Sequence, residues 1–338
     1  MFVVRPAAVA DLDALERLLS QTGVGLTSLA IDRETLRAKV QTSLASFEAE
    51  PRTAGQEQYL FVLEDEQSGQ LVGMSAIKAA IGLRDPYYSY RIGTVVHASK
   101  MLGVHQKFPA LYLCNDYTEC SELSSLFLGP ARRGAHLGAL ISKARFLFIA
   151  QHPHRFAQKV IAEIRGFSTP EGRSPFWEGL GKHFFSIDFP QADYLVGTGD
   201  KSFIAELMPK HPIYVLFLPE DAQRVLGEAH PDSQAALHIL EQEGFRYENY
   251  VDIFDAGPTV ECRRDEIRTV RASRLLEARL LEQPDSTAKY LLANGGVSDF
   301  RCCVAEVRVD DGGRVEIDPE TANALRVCAG DPLRGISL

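Results

Sequence analysis

A turn rich in small side chains is the first segment whose residue types and spacing could do chemistry. It reads GPARRGAHLG at 129–138, between an apolar, strand-like run at 123–128 and a helix-like run at 139–150. A turn between a strand and a helix directs several backbone N–H groups and the positive end of the helix dipole toward one point. Such a point suits a pyrophosphate group. The segment therefore predicts a phosphate-binding turn.

Histidine is the residue type that could move a proton, because an imidazole with a pKa of about 6.5 both donates and accepts at neutral pH. The chain has nine histidines. His230 stands directly before Pro231, between two helix-like segments. A histidine in such a position is more often a loop or capping residue. Position alone therefore does not select His230 as a catalytic group.

The composition is typical of a globular protein without a nucleic-acid or membrane role. Apolar residues make up 45% and charged residues 24% of the chain, which argues against disorder. The net charge of −9 contains no long single-sign block, which disfavours nucleic acid as a partner. No run approaches the roughly 18 apolar residues of a membrane span, and the first residues lack a signal-peptide pattern. These features predict a cytoplasmic protein.

The six cysteines have neither CxxC spacing nor the framework of a small secreted domain. A reducing cytosol keeps such residues as thiols. We therefore expect structural thiols. Independently of the cysteines, we expect no metal site and no resident cofactor.

Hydrophobic periodicity predicts strands and helices on both sides of the glycine-containing turn. The expected strands lie at 2–6, 59–63, 71–77, 123–128, 159–165, 250–254, 289–293, 300–309 and 325–328. Helices are expected after Asp11, at 139–150, after Ser174 and at 235–242. The Ser174 helix, with proline in its first turn, is expected to end near residues 180–181.

Two similar phrases indicate a possible internal duplication. The pattern of helix, glycine, aromatic residue and strand occurs at WEGLGKHFF (177–185) and again at LEQEGF (240–245). Ordinary helix C-caps produce the same pattern, so duplication and coincidence are equally weighted. The domain prediction is 1–195 for an N-terminal domain, 196–260 for a second portion, and 261–338 for a small β-rich appendage.

The glycine-containing turn resembles the cofactor-binding signature of the Gcn5-related acetyltransferase superfamily, Arg/Gln-x-x-Gly-x-Gly/Ala. Arg133 and Gly138 match its ends, and His136 replaces its middle glycine. The resemblance implies an α+β acyl-CoA N-acyltransferase fold, with a mixed, mostly antiparallel sheet flanked by helices. It also implies that acyl-CoA lies between two splayed strands and that an amine attacks the thioester directly, without a metal.

Longer phrases resemble arginine N-succinyltransferases over about residues 1–260. They are TGVGLTSL (22–29), YLFVLED (59–65), VVHASK (95–100), SKARF (142–146), SPFWE (174–178), FIAELMPKHPIY (203–214) and YVDIFDAGP (250–258). This resemblance implies transfer of succinyl from succinyl-CoA to the α-amine of L-arginine, giving CoA and N2-succinyl-L-arginine, the first step of arginine degradation by the succinyltransferase pathway. It further implies that His230 is the proton donor and that Leu126 contacts succinyl-CoA.

An arginine acceptor requires carboxylates for its guanidinium, and a succinyl donor requires a cation for its terminal carboxylate. The candidate carboxylates are Asp252, Asp255, Glu163 and Glu206. The candidate cations are Arg91 and Arg165, which the sequence does not rank. Charged residues near strand ends are usually solvated or paired structurally, so each assignment competes with that role.

Two alternatives remain open from the sequence. The chain could be a related acyltransferase that uses another amine or another acyl-CoA. It could also be one subunit of a hetero-oligomeric arginine/ornithine succinyltransferase, since His136 departs from the superfamily pattern in the cofactor turn. A homo- or hetero-oligomer is expected in either case.

Overall fold

The computed structural model describes residues 1–21, 32–132, 136–169, 171–198, 206–285 and 288–338. The described strands are β1 Phe2–Pro6, β2 Gln58–Asp65, β3 Gln70–Lys78, β4 Ser89–Ser99, β5 Val104–Cys114, β6 Ser121–Leu128, β7 Lys159–Glu163, β8 Ile213–Tyr214, β9 Arg246–Val251, β10 Pro258–Arg263, β11 Arg274–Leu280, β12 Ala288–Asn294, β13 Cys302–Val309, β14 Arg314–Ile317 and β15 Pro332–Ser337. The described helices are α1 Leu12–Leu19, α2 Arg33–Glu48, α3 Leu137–Gln151, α4 Lys182–Phe185, α5 Phe189–Thr198, α6 Glu220–Arg224, α7 Gln234–Gln242, α8 Arg268–Ala272 and α9 Pro319–Leu325.

The first half of the sheet is antiparallel and buried on both faces. β1, β2, β3 and β6 are neighbours in that order. Asp65 and Gly69, with φ +66° at the glycine, form the turn that joins β2 to β3. The apolar run of β3 is buried from Leu71 to Ile77, because α1 and α2 cover one face and α3 covers the other. The predicted hairpin of β2 and β3 is confirmed, and so is the helix predicted after Asp11, which is α1.

β6 and β7 are parallel neighbours that separate after a short contact. They pair only at Ser121–Val160 and Glu122–Ile161, although β6 continues to Leu128. Ser125 has φ +54°, and the β3–β6 register shifts between Met74 and Ala76. This irregularity bends β6 away from β7, so an opening forms between the two strands. α3 connects the far end of β6 back to β7 and packs beneath that opening.

The second half of the sheet continues from β7 through β10, β9, β4, β5 and β8. It covers a second core around Trp177, Phe176 and Tyr90. The long β4–β5 hairpin was not predicted, although its turn carries Gly103 at φ +62°. Of the two phrases of the possible duplication, 177–185 packs in this second core, whereas Leu240 and Phe245 pack in the first core with α3. The duplication stays a prediction.

The Ser174 helix begins as predicted, with the Trp177 amide donating to Ser174 Oγ, but it does not end at Gly181. It continues through a π-helical turn, Trp177–Gly181, into α4. Gly181 is required because a Cβ there would lie 2.3 Å from the Trp177 ring. Gly181 therefore makes room for the indole ring of Trp177. The prediction that the helix ends at this glycine is wrong.

The five C-terminal strands close into a small barrel, because β12 pairs with both β13 and β15. β13 also pairs with β1, so the barrel continues the main sheet.

The predicted boundary at 260/261 falls inside β10, which pairs with β7 and β9; the domain division stays a prediction. Residues 325–328 are not a strand, since Asp318 caps α9 and the helix reaches Leu325. Among the described residues, no helix is both long and apolar enough to cross a membrane.

Candidate active site

A cleft of about 650 Å³ lies where β6 and β7 separate. Residues 123–126 of β6 line one side, and residues 162–165, at the end of β7, line the other; these two segments are called the β6 arm and the β7 arm. Residues 80–88 and 252–255 also line the cleft, as do four residues of α2, two of α7 and one of α3. The predicted opening between two splayed strands is therefore present.

The β6 arm leads into the predicted phosphate-binding turn. Leu126 lines the cleft, and α3 begins eleven residues later, at Leu137, directly after His136. The first amide bonded within this helix is that of Leu140, which donates to His136 O over 3.1 Å. The amides of residues 137–139 therefore lack acceptors within the helix. Arg133, the first residue of the signature, lies outside the described residues.

The backbone at His136 explains why the superfamily pattern has glycine there. His136 has φ +58° and ψ +1°, a left-handed conformation that glycine adopts without steric cost. Its side chain is exposed and makes no capping hydrogen bond. At Gly138, a Cβ would meet open space within 4 Å, so the backbone there is accessible from outside.

The β7 arm leads to His230. The amide of His230 donates to the carbonyl of Arg165 over 2.8 Å, and Gly166 forms an antiparallel bridge with Ala229. His230 Nδ1 accepts from the amide of Asp232 over 3.1 Å, so the proton of the neutral ring lies on Nε2. Partial burial, followed by the nearby charge of Arg165, lowers the pKa of His230. His230 itself does not line the cleft, whereas Arg165 and Ser233 on either side of it do.

Three of the four predicted carboxylates line the cleft: Glu163, Asp252 and Asp255. Asp252 Oδ1 accepts from the amides of Phe254 and Asp255, over 2.7 and 2.9 Å. These bonds form a turn at 252–255, which ends β9 at Val251, so the predicted strand at 250–254 is correct for residues 250–251 and wrong for residues 252–254. Glu206 is exposed and lies outside the cleft.

Asp255 has a structural role at the end of the β7 arm. Its Oδ2 accepts from the Gly166 amide over 2.7 Å, and its Oδ1 accepts from the Gly257 amide over 2.8 Å. Burial and the neighbouring Asp252 charge raise the pKa of Asp255 well above its ordinary value. Burial also raises the pKa of Asp252. Two carboxyl groups so close together resist carrying two negative charges, which favours a cationic ligand beside them.

Of the two predicted cations, Arg165 lines the cleft and Arg91 does not. Arg91 is exposed over the Tyr112 ring, 5.9 Å away, and does not line the cleft. Arg165 lines it and donates to Ser168 Oγ over 3.0 Å. Lys78, which also lines it, pairs with Glu122 at 2.8 Å.

Arg145 of α3 lines the cleft as well, and sequence reasoning missed it. The available signal was a pair of charged residues, Lys143 and Arg145, inside a mostly apolar helical run, 140–149. Within the described ranges, no group of three or more His, Cys, Asp or Glu side chains is arranged to hold a metal ion.

Comparison with known proteins gives full-length matches. Residues 2–269 match the family described as arginine N-succinyltransferase beta subunit, and residues 274–337 match the C-terminal domain of that subunit. Proteins named arginine N-succinyltransferase from Citrobacter koseri and Salmonella paratyphi B are each 48% identical, covering 100% of this chain and 98% of theirs. The structure of arginine/ornithine succinyltransferase subunit AI from Pseudomonas aeruginosa is also similar. It has a TM-score of 0.92 and 42% identity, covering 100% of this chain and 98% of that chain.

Proposed function

The chain belongs to the arginine N-succinyltransferase family, and we propose that it transfers the succinyl group of succinyl-CoA to the α-amine of L-arginine. The products are CoA and N2-succinyl-L-arginine. The observation that carries the proposal is the cleft between the two arms. One arm leads to the start of α3, where the first three amides have no acceptor within the helix, and the other leads to carboxylates and a histidine. The α+β acyl-CoA N-acyltransferase fold predicted from the sequence agrees with this arrangement.

Succinyl-CoA enters as a co-substrate along the β6 arm. Its pyrophosphate binds the amides of residues 137–139 and the positive end of the α3 dipole. The pantetheine arm then passes Leu126 into the cleft. His136 adds an imidazole to the phosphate site, where the superfamily pattern has no side chain. The open space at Gly138 lets a phosphate approach the backbone closely.

Arginine binds on the side of the cleft that is lined by Glu163 of the β7 arm and by Asp252. Carboxylates satisfy a guanidinium by paired, charge-assisted hydrogen bonds. Asp255 is less suited to this role because both of its oxygens already accept backbone amides. A bound cation also relieves the repulsion between Asp252 and Asp255, which supports the assignment of this side to the acceptor.

The reaction requires a neutral amine, stabilisation of an oxyanion and a proton for the departing thiolate. His230 is neutral at pH 7, since partial burial lowers its pKa. In the reaction, Nδ1 exchanges the hydrogen bond from the Asp232 amide for the proton that the attacking amine releases, and Nε2–H donates a proton to the departing thiolate of CoA. Held by the Arg165 carbonyl, it sits beside the cleft on the acceptor side.

The test is CoA release by the purified chain, with succinyl-CoA or acetyl-CoA and with arginine, ornithine or lysine. Succinyl-CoA with arginine is expected to give the highest kcat/KM. Equal or better turnover with acetyl-CoA would reject the succinyl donor, and preference for ornithine or lysine would reject the arginine acceptor.

The Pseudomonas aeruginosa relative is named as a subunit of an arginine/ornithine succinyltransferase, so assembly with a second subunit is the alternative. Activity that develops only after a homologous subunit is added would favour that alternative. We also propose a cytoplasmic location, which the six free cysteines support.

A further inference from the structure

Arg145 is a buried cation that faces the cleft without a carboxylate partner. Its side chain is 2% exposed, and it lies among the cleft-lining residues. Nε donates to Ser142 O over 3.2 Å, one terminal nitrogen donates to Ser142 Oγ over 3.0 Å, and the other approaches Ala76 O at 3.5 Å. A guanidinium has five N–H donors. Two of the five therefore have no protein acceptor among the described residues.

The other buried Lys and Arg side chains of the described residues are arranged differently. Lys143, two positions away on α3, pairs with the buried carboxylate of Glu243 at 3.2 Å. Arg301 pairs with Glu66. Arg155 has only neutral acceptors, as Arg145 does, but it does not line the cleft. Arg145 alone among these four combines a missing counter-charge with a position on the cleft.

Burial of the Arg145 guanidinium without a counter-charge lowers the free energy of unfolding. Transfer of a guanidinium from water to a buried site is unfavourable unless an anion or several good acceptors replace the lost hydration. The effect is visible in the pKa of Arg145, which burial lowers to about 9. Even so, the group is charged at pH 7. An anionic group in the cleft would supply the counter-charge that the protein does not.

We propose that Arg145 binds the terminal carboxylate of the succinyl group and selects dicarboxylic acyl-CoA as the donor. This inference rests on the proposed function and names the residue behind its donor specificity. Arg145 is eight residues after the first residue of α3, so it lies about 12 Å along the helix axis from the proposed pyrophosphate site. The pantetheine arm covers a distance of that order, which brings the acyl group to the depth of Arg145.

Two other guanidinium groups line the cleft. Arg84 is exposed, and the position of Arg165 suits the acceptor side better. Arg165 is half-buried on the β7 arm, and its carbonyl holds His230. Arg145 lies beneath the opening on α3, and one of its acceptors is the Ala76 carbonyl of β3, the neighbour of β6. The two cations therefore occupy different sides of the reacting centre.

The test compares acyl donors in the intact protein with arginine as the acceptor. Butyryl-CoA has the chain length of succinyl-CoA without its carboxylate, and glutaryl-CoA carries the carboxylate one methylene farther out. For Arg145→Met, we expect kcat/KM with succinyl-CoA to fall by about 10²-fold and kcat/KM with butyryl-CoA to change less than threefold. An equal fall with both donors would overturn the proposal.

Arg145→Lys provides a second test if the methionine variant does not fold. Lysine keeps the charge on a shorter reach, so the ratio of glutaryl-CoA to succinyl-CoA turnover should rise by about tenfold. A ratio equal to that of the wild type would overturn the proposal. Arg155→Lys is the matched control, because this equally buried arginine lies outside the cleft and its change should leave the ratio unaltered.

Calorimetric binding separates this inference from the proposed function. If the wild-type chain released no CoA with arginine, the proposed function would fail. The affinities of wild type and Arg145→Met for succinyl-CoA and butyryl-CoA would still report on Arg145. We expect the methionine variant to lose affinity for succinyl-CoA alone, and loss of affinity for both thioesters would overturn the assignment.

Discussion

The main-chain amide of His230 donates a hydrogen bond to the carbonyl oxygen of Arg165 over 2.8 Å. This bond joins the segment that carries the histidine to the end of the β7 arm. Asp255 fixes the same place by accepting the amide of Gly166, where a Cβ would lie 2.5 Å from the carbonyl oxygen of Asp255. The position of His230 therefore depends on backbone contacts that only glycine at 166 allows.

Replacement of His230 by alanine tests the proton-transfer role. We expect kcat to fall by about 10²-fold or more, a typical contribution of general acid–base catalysis, with little change in the affinity for succinyl-CoA. Steady-state kinetics and calorimetry measure the two quantities. His238→Ala is the control, since this exposed histidine lies on the neighbouring α7 and should leave kcat unchanged. A His230 variant with normal kcat would exclude the residue from catalysis.

Asp252→Asn separates a binding role from a structural one. Asparagine keeps Oδ1 as the acceptor for the Phe254 and Asp255 amides but removes one charge from the buried pair. If Asp252 binds the cationic acceptor, KM for arginine should rise by about tenfold while KM for succinyl-CoA stays constant. Glu206→Gln, outside the cleft, is the control and should change neither constant. An unaltered KM for arginine would reject the assignment.

Asp252→Asn should also raise the free energy of unfolding, and this gain should grow as the pH rises. Burial raises the pKa of Asp252 above its ordinary 3.8. A raised folded-state pKa means that the contribution of Asp252 to stability is complete below pH 3.8 and is lost as the pH rises through the folded value. Urea unfolding at several pH values should therefore show the gain of Asp252→Asn growing with pH. A gain that shrinks with pH would contradict the raised pKa.

The sequence predicted the elements of the cofactor side because their signals are local. The hairpin of β2 and β3, the start of α3 and the Ser174 cap follow from apolar periodicity and turn residues. The resemblance added the expectation of splayed strands, and the structure contains them. The role of Gly181 was predicted wrongly because glycine is needed there for packing against the Trp177 ring, and no local sequence pattern reveals such a contact.

The acceptor side depends on contacts between distant segments. The divergence of β6 follows from Ser125 at φ +54°, a backbone state that serine does not signal in a sequence. Glu163 and Asp252 lie together only because β7, β10 and β9 pair in that order. Arg145 and Arg91 look alike as sequence positions, yet one is buried at the cleft and the other is exposed.

His136→Gly tests the departure from the superfamily signature. Histidine at φ +58° is strained by about 1 kcal/mol relative to glycine, so the variant should be more stable by about that amount. Loss of the imidazole should weaken CoA binding by about fivefold, the worth of one ordinary hydrogen bond. Ser186→Gly is a matched control, because Ser186 has φ +54° and does not line the cleft. It should give the stability gain without the loss of affinity, and equal CoA affinity in both variants would deny His136 a binding role.

His152 should make the stability of the fold depend on pH. It caps the C-terminal end of α3 and lies buried, with Nε2 donating to the carbonyl of Gly296 over 3.2 Å, so it ties this helix to the C-terminal barrel region. Burial lowers its pKa from 6.5 to about 4. For a histidine with a lowered folded-state pKa, the stabilising contribution is complete above pH 6.5 and is lost as the pH falls toward 4. The slope is about 1.4 kcal/mol per pH unit within that window.

His152→Gln, which can still donate to Gly296, should remove this part of the slope in urea unfolding. The exposed neighbour His154 is the control, and His154→Gln should keep the wild-type slope. Equal slopes for wild type and His152→Gln would show that burial does not hold His152 neutral.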